Sequence, residues 1–149
     1  MGSTLYGNCA NQSTNKIITA GECGRKLTLN NPLGKKVRKI QVDGCLFKDS
    51  DACKRCDYMF EVFENANAEK IGLVLYLELK GSHIEDAYAQ LVATIDKFHV
   101  EHKGAIKQCY IVSSRVPSAG PSTQQLNIKL QKARQATLVI KTTQAQITI

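Results

Sequence analysis

The stretch Leu73-Val74-Leu75-Tyr76-Leu77-Glu78-Leu79-Lys80 decides how this chain can fold and where its chemistry lies. Successive side chains of a β-strand point to opposite faces, so the four leucines share one face. The other face carries Val74 and Tyr76 and then ends in Glu78 and Lys80. Burying charged groups beside an apolar surface costs free energy unless they have a partner or a use. The end of this predicted strand is therefore the first candidate site.

A second carboxylate stands at the start of another strand-like run. Asp57 directly precedes the predicted strand at residues 58–63. If the two strands pair, Asp57 lies beside Glu78 and Lys80. Two acids and a lysine suit metal-dependent phosphodiester hydrolysis, because carboxylates hold Mg²⁺ while a lysine offsets phosphate charge and helps to activate water.

The pattern of Asp57, a gap and then Glu78-x-Lys80 resembles the PD-(D/E)xK nuclease superfamily. The resemblance covers about residues 36–116. It implies an α/β (α+β) fold with a restriction-endonuclease-like core, in which a central mixed β-sheet is flanked by helices. It also implies Mg²⁺ or Mn²⁺ as the cofactor, held by Asp57, Glu78 and the backbone carbonyl of Leu79, with Lys80 as the catalytic lysine.

The same resemblance extends to the next helix and shows two departures. Gln90 stands in a place comparable to a functional Gln of RecB-like members, whereas Thr94 stands where those enzymes often carry Tyr. Cys56 precedes Asp57 in place of Pro. An acid expected upstream of the core would be Glu22 or Asp43.

The rest of the sequence predicts elements in the order of that core. Residues 36–42, 58–63 and 73–80 are predicted as an antiparallel meander. Ser82 and Glu85 form a capping-box pattern ahead of apolar residues at helical spacing up to Phe98. Residues 1–34 are predicted to be irregular, with one short helix and a turn at 30–34. After the main helix we expect a strand at 106–112, a loop at 117–121 and a second helix from 122 to about 135. A last strand is predicted at 138–141, and residues 147–149 extend it.

Length and composition predict one globular domain spanning residues 1–149, with the basic C-terminal helix and strand at 121–149. The hydrophobic fraction of 43% and the charged fraction of 22% are ordinary for such a domain. Neither a bilayer-spanning apolar run nor a signal peptide is visible, so we expect a cytoplasmic location.

Charge is unevenly distributed along the chain. The net charge is +5 for residues 1–43, −5 for 44–101 and +7 for 102–149. Basic flanks around an acidic centre would hold a polyanion over the metal site, although a merely solvated basic surface would give the same balance. The candidate phosphate contacts are Lys36, Arg38, Lys39, Arg115, Lys129, Lys132 and Arg134.

Six cysteines offer a second chemistry. Cys53 and Cys56 form a CxxC pair, and Cys45 lies eight residues before it. A structural Zn²⁺ on these three cysteines is an alternative, but such sites normally have two close pairs. Free, partly buried thiols in a reducing cytoplasm are the favoured interpretation. His102 follows the main helix, where it would favour the helix dipole.

The leading functional hypothesis is a small metal-dependent endo- or exonuclease acting on DNA as a homodimer; the sequence does not distinguish DNA from RNA. The first alternative is a nucleic-acid-binding module with the same fold and no cleavage. The second is an accessory interaction protein with structural cysteines, which predicts affinity for neither nucleic acid nor metal.

Overall fold

The computed structural model describes residues 5–22, 24–79, 83–114 and 123–149. Nine strands and two α-helices follow a 3₁₀ turn at Gly7–Cys9 in this described part. In chain order they are β1 (Ala10–Ser13), β2 (Ile17–Glu22), β3 (Arg25–Asn30), β4 (Val37–Gln41), β5 (Tyr58–Phe63), β6 (Ile71–Glu78), α1 (Ile84–Lys97), β7 (Ile106–Ser113), α2 (Thr123–Arg134), β8 (Ala136–Thr142) and β9 (Gln144–Thr148).

The central sheet has six strands in the order β1-β4-β5-β6-β7-β8. Neighbours from β1 to β6 are antiparallel, and β6, β7 and β8 are parallel. The predicted meander is confirmed, and so is the α+β class with a mixed sheet. Parallel neighbours need crossover connections, and α1 and α2 lie in those two connections.

The fold has three layers, because each face of the central sheet is covered by a different layer. Both helices pack on one face, where Tyr88, Leu91 and Leu130 meet Met59 and Tyr76. The opposite face packs against a small sheet of order β2-β3-β9. Among the described residues, helices therefore cover one face of the sheet, whereas the prediction was of helices flanking it.

Helix α1 forms because its apolar residues recur at helical spacing. Ala87, Tyr88, Leu91 and Ile95 are buried, Glu85 and Asp86 occupy the first turn, and Lys97 is in the last turn. These charges complement the helix dipole. His83 is the N-cap residue and makes no side-chain capping bond, while the predicted cap Ser82 lies outside the described residues.

The N-terminal prediction of irregular structure is wrong. Ile18 and Ala20 on β2, and Leu27 and Leu29 on β3, alternate with more exposed residues and bury the inner face of the small sheet. The turn at 30–34 is confirmed, since Gly34 donates its N–H to the carbonyl of Asn31 at 3.1 Å.

The C-terminal residues also differ from the prediction. Residues 147–149 were expected to extend the last strand, but β9 leaves the central sheet and pairs in parallel with β3. The chain bends at Thr143, whose φ of 67° is in the left-handed region. The predicted loop at 117–121 lies outside the described residues. No helix in the described part is long and apolar enough to cross a bilayer.

Candidate metal site

The two predicted acids lie at the same end of the sheet, where β5 begins and β6 ends. Tyr58 pairs with Leu77 in the ladder, and Asp57, which directly precedes β5, donates its N–H to the carbonyl of the same Leu77 at 3.0 Å. Asp57 therefore lies beside the end of β6, next to Glu78.

Both carboxylates line a cavity of about 440 Å³ at this end of the sheet. Asp57 is 6% exposed and Glu78 is 2% exposed. The remaining lining residues are mostly polar or charged and comprise Asp43, Asp49, Ala52, Cys53, Lys54, Arg55 and Gln90. The cavity therefore carries two nearly buried carboxylates, which are groups of the kind that hold a hard cation.

The donor atoms at the site are the kind that Mg²⁺ prefers. The backbone N–H of Leu79 donates to Asp57 Oδ2 at 2.7 Å and fixes that carboxylate beside the end of β6. The carboxylate oxygens of Asp57 and Glu78 are hard ligands suited to Mg²⁺ or Mn²⁺, and the resemblance adds the backbone carbonyl of Leu79. The predicted catalytic Lys80 lies outside the described residues.

Arg55 organises the loop that forms the outer wall of the cavity. Its guanidinium donates to Asp43 Oδ1 at 2.9 Å and to the carbonyls of Asp51 at 2.7 Å and Lys48 at 2.9 Å. Asp43, one of the two candidate upstream acids, therefore lines the cavity but is paired with Arg55. The other candidate, Glu22, is exposed at the end of β2 and does not line the cavity.

Gln90 reaches the cavity from α1. Its Oε1 accepts the backbone N–H of Arg55 at 2.8 Å, so this amide holds the loop ahead of Asp57. Thr94, one turn further, accepts the N–H of Cys56 at 2.7 Å and donates to the carbonyl of Gln90 at 2.8 Å. The role of Thr94 in holding this loop was not predicted. The sequence did contain a signal for it, because Thr94 places a hydroxyl on the apolar face of the predicted helix.

The cysteines do not form the zinc site that was considered. Cys45 is bonded to Cys9 in a disulfide with a Cα–Cα distance of 5.7 Å. Burial raises the pKa of the Cys56 thiol to about 12, despite the opposing hydrogen bond with Thr94. Cys45 is therefore not a free thiol, Cys56 is a protonated thiol rather than a thiolate ligand, and Cys53 alone lines the cavity.

The predicted phosphate contacts fall into two groups. Arg38 and Arg134 are already in ion pairs, Arg38 with buried Glu61 at 2.6 Å and Arg134 with Asp96 at 2.7 Å. Lys39 donates to the carbonyl of Thr19 at 2.7 Å. Lys36 packs on the ring of Phe63, Lys129 packs on the ring of Tyr88, Lys132 is exposed, and Arg115 lies outside the described residues.

A second cluster of buried charge was missed by the sequence reasoning. Glu61 is 1% exposed and its Oε2 accepts the hydroxyl of Tyr6 at 2.5 Å. His102 Nε2 lies 2.6 Å from the same oxygen, and its Nδ1 lies 2.7 Å from the hydroxyl of Tyr76. His102 is thus fully buried in this network rather than facing the helix dipole. The signal was Glu61 inside an otherwise apolar strand.

No protein-family model, curated protein or solved structure matches this chain. Within the described residues, no group of three or more His, Cys, Asp or Glu side chains is placed to hold a metal ion. The two nearly buried carboxylates of Asp57 and Glu78 at one cavity are fewer than such a group requires.

Proposed function

We propose that this protein is a metal-dependent nuclease that hydrolyses phosphodiester bonds of DNA at the site formed by Asp57 and Glu78. The observation that carries the proposal is that these two nearly buried carboxylates line one polar cavity at the end of β6. Neighbouring carboxylates repel one another, and a bound cation would offset that repulsion.

The order of strands supports a restriction-endonuclease-like core. An antiparallel meander of β4, β5 and β6 is followed by α1 and the parallel strand β7. This is the order that the resemblance implies, with the first acid before the second strand of the meander and the second acid at the end of the third. The small sheet over the opposite face is an addition to that arrangement.

Each residue of the site would have a distinct role in the proposed reaction. Asp57 and Glu78, with the carbonyl of Leu79, would hold the ion, and the N–H of Leu79 keeps Asp57 in place. When bound, Mg²⁺ would polarise the scissile phosphate and make water a better nucleophile. Lys80, by resemblance, would offset charge on the phosphate. Gln90, by resemblance a further functional residue, lines the cavity and with Thr94 positions the loop ahead of Asp57.

Cleavage assays on linear, circular and branched DNA with Mg²⁺ or Mn²⁺ test the proposal. We expect metal-dependent cutting by the wild type and a loss of at least about a thousandfold in Asp57→Asn and Lys80→Ala, because electrostatic stabilisation of the transition state is the largest catalytic contribution. Asp49→Asn is the matched control, since Asp49 lines the same cavity without facing Glu78.

The alternatives separate clearly in these assays. Binding of DNA without cutting under any metal condition would replace the proposal with the binding module. Neither binding nor cutting of DNA would contradict it and favour the interaction protein, while cutting of RNA alone would change the substrate and keep the site.

A further inference from the structure

A second polar cleft, of about 490 Å³, lies at the tip of the β2–β3 hairpin. Its described lining carries two cations and no acid, and comprises Thr19, Gly21, Gly24, Arg25, Lys26 and Gln144. None of these residues belongs to the candidate metal site or to the phosphate contacts predicted from sequence. The lining chemistry therefore indicates a separate site for an anion.

Arg25 is the residue that most favours an anionic ligand. Its Nε is buried and has no hydrogen-bond partner among the described residues. A buried donor left without an acceptor costs free energy, and a turn of the guanidinium that brings Nε to an anion in the cleft would remove that cost. Guanidinium groups present parallel N–H donors that match two phosphate oxygens, whereas the neighbouring Lys26 would add a point charge.

Two glycines shape the cleft. A side chain at Gly21 would meet the carbonyl of Arg25 at 2.6 Å, so only glycine allows the two strands to approach this closely. Gly24 has φ of +80° in the turn, and a Cβ there would face open space. The backbone at the hairpin tip is consequently accessible to a ligand.

A chain of contacts connects the cleft to the metal site. The carbonyl of Thr19 in the cleft accepts the Lys39 ammonium at 2.7 Å, and that ammonium lies 5.4 Å from the ring centroid of Tyr58. Tyr58 is the neighbour of Asp57.

We propose that the Arg25 cleft binds a backbone phosphate of the nucleic-acid strand, a few nucleotides from the bond that the Asp57–Glu78 site cleaves. That the ligand is a nucleic-acid strand rests on the proposed function. Phosphate groups recur at intervals of about 3.4 Å per strand along a duplex, so one strand can reach both sites. The cleft would then hold the strand while the metal site acts on it.

Equilibrium binding of fluorescein-labelled single-stranded and duplex DNA tests this without requiring catalysis. The full chain carrying Asp57→Asn is used in Ca²⁺, alone and combined with Arg25→Gln, Arg25→Lys or Lys103→Gln. Lys103 is an exposed lysine ahead of β7, at the sheet end opposite the metal site. We expect Arg25→Gln to weaken binding about tenfold and to lower the salt slope by about one, because one phosphate contact is lost.

The other variants distinguish a bidentate contact of Arg25 with phosphate from a general effect of positive charge on DNA affinity. Arg25→Lys should give an intermediate loss and confirm that the fold persists, and Lys103→Gln should change affinity less than about twofold. Equal effects of Arg25→Gln and Lys103→Gln would overturn the proposal. Titration with inorganic phosphate adds a second arm: Arg25-dependent phosphate binding without an effect on DNA affinity would make this a small-anion site and also overturn it. If DNA binding depends on Arg25 but the wild-type protein cuts no DNA, the proposal for the cleft stands and the proposed nuclease function is refuted.

Discussion

Asp57 and Glu61 are only four residues apart, lie toward the same face of β5 and are both nearly buried, yet their surroundings differ completely. Glu61 lies within the sheet, where Tyr6, His102 and Arg38 occupy both of its oxygens. Asp57 lies just before the strand, where it accepts the N–H of Leu79 and lines a cavity together with Glu78. The comparison teaches that a buried carboxylate indicates function only when its position leaves room for a ligand.

The largest expected difference concerns stability at Glu61. Glu61→Gln removes the charge that pairs with Arg38 and His102, so we expect a loss of about 3–5 kcal/mol in the free energy of unfolding. Asp57→Asn keeps an acceptor for the Leu79 N–H and should cost much less. Urea denaturation of both variants measures the difference, and equal losses would break the comparison.

The disulfide ties the start of β1 to the loop after β4. Cys9 and Cys45 are separated by 36 residues, for which the chain-entropy model gives roughly 3–4 kcal/mol. We expect the midpoint of urea unfolding to fall on adding dithiothreitol. The Cys9→Ser/Cys45→Ser variant should start at the lower value and show no further change; a reductant effect that persists in it would exclude this disulfide as the cause.

Thr94 extends the comparison of Asp57 with Glu61, because it supports the loop ahead of Asp57 and lies outside the Glu61 network. Thr94→Val leaves the buried N–H of Cys56 without its acceptor, so we expect a loss of about 1–3 kcal/mol. Metal affinity should fall as well, since the next residue is Asp57. Lower stability with unchanged Mn²⁺ affinity would show that the loop does not position the site.

The smallest effect is a dependence of stability on pH that belongs to Glu61 alone. Burial would raise the pKa of Glu61, but hydrogen bonds to His102 and Tyr6, aided by Arg38, lower it below its ordinary 4.5. This stabilisation is present above the ordinary value and is lost as pH falls through the lowered one. Glu61→Gln should flatten the stability profile below about pH 4.5 relative to the wild type; an unchanged slope would contradict the assignment.

The central part of the fold could be predicted because local patterns specify it. The leucine alternation in β6 and the apolar spacing in α1 each encode one buried face. The small sheet could not be found in the same way, since β2 and β3 bury few large residues and β9 pairs with β3 across more than a hundred residues.

The site was predictable to the same limited extent. Asp57 and Glu78 stand at the ends of recognisable strands, so register alone brings them together. Arg38 and His102 look like surface residues in sequence, because only tertiary packing places them around Glu61. The Cys9–Cys45 pair likewise depends on a contact between distant segments that spacing does not reveal.

Calorimetric titration with Mn²⁺ is the most direct test of the central claim that Asp57 and Glu78 form a metal site. The wild type, Glu78→Gln and Glu61→Gln are compared at a temperature where all three are folded. The predicted result is that Glu78→Gln abolishes binding while Glu61→Gln retains it. Undiminished Mn²⁺ affinity in Glu78→Gln would contradict the claim.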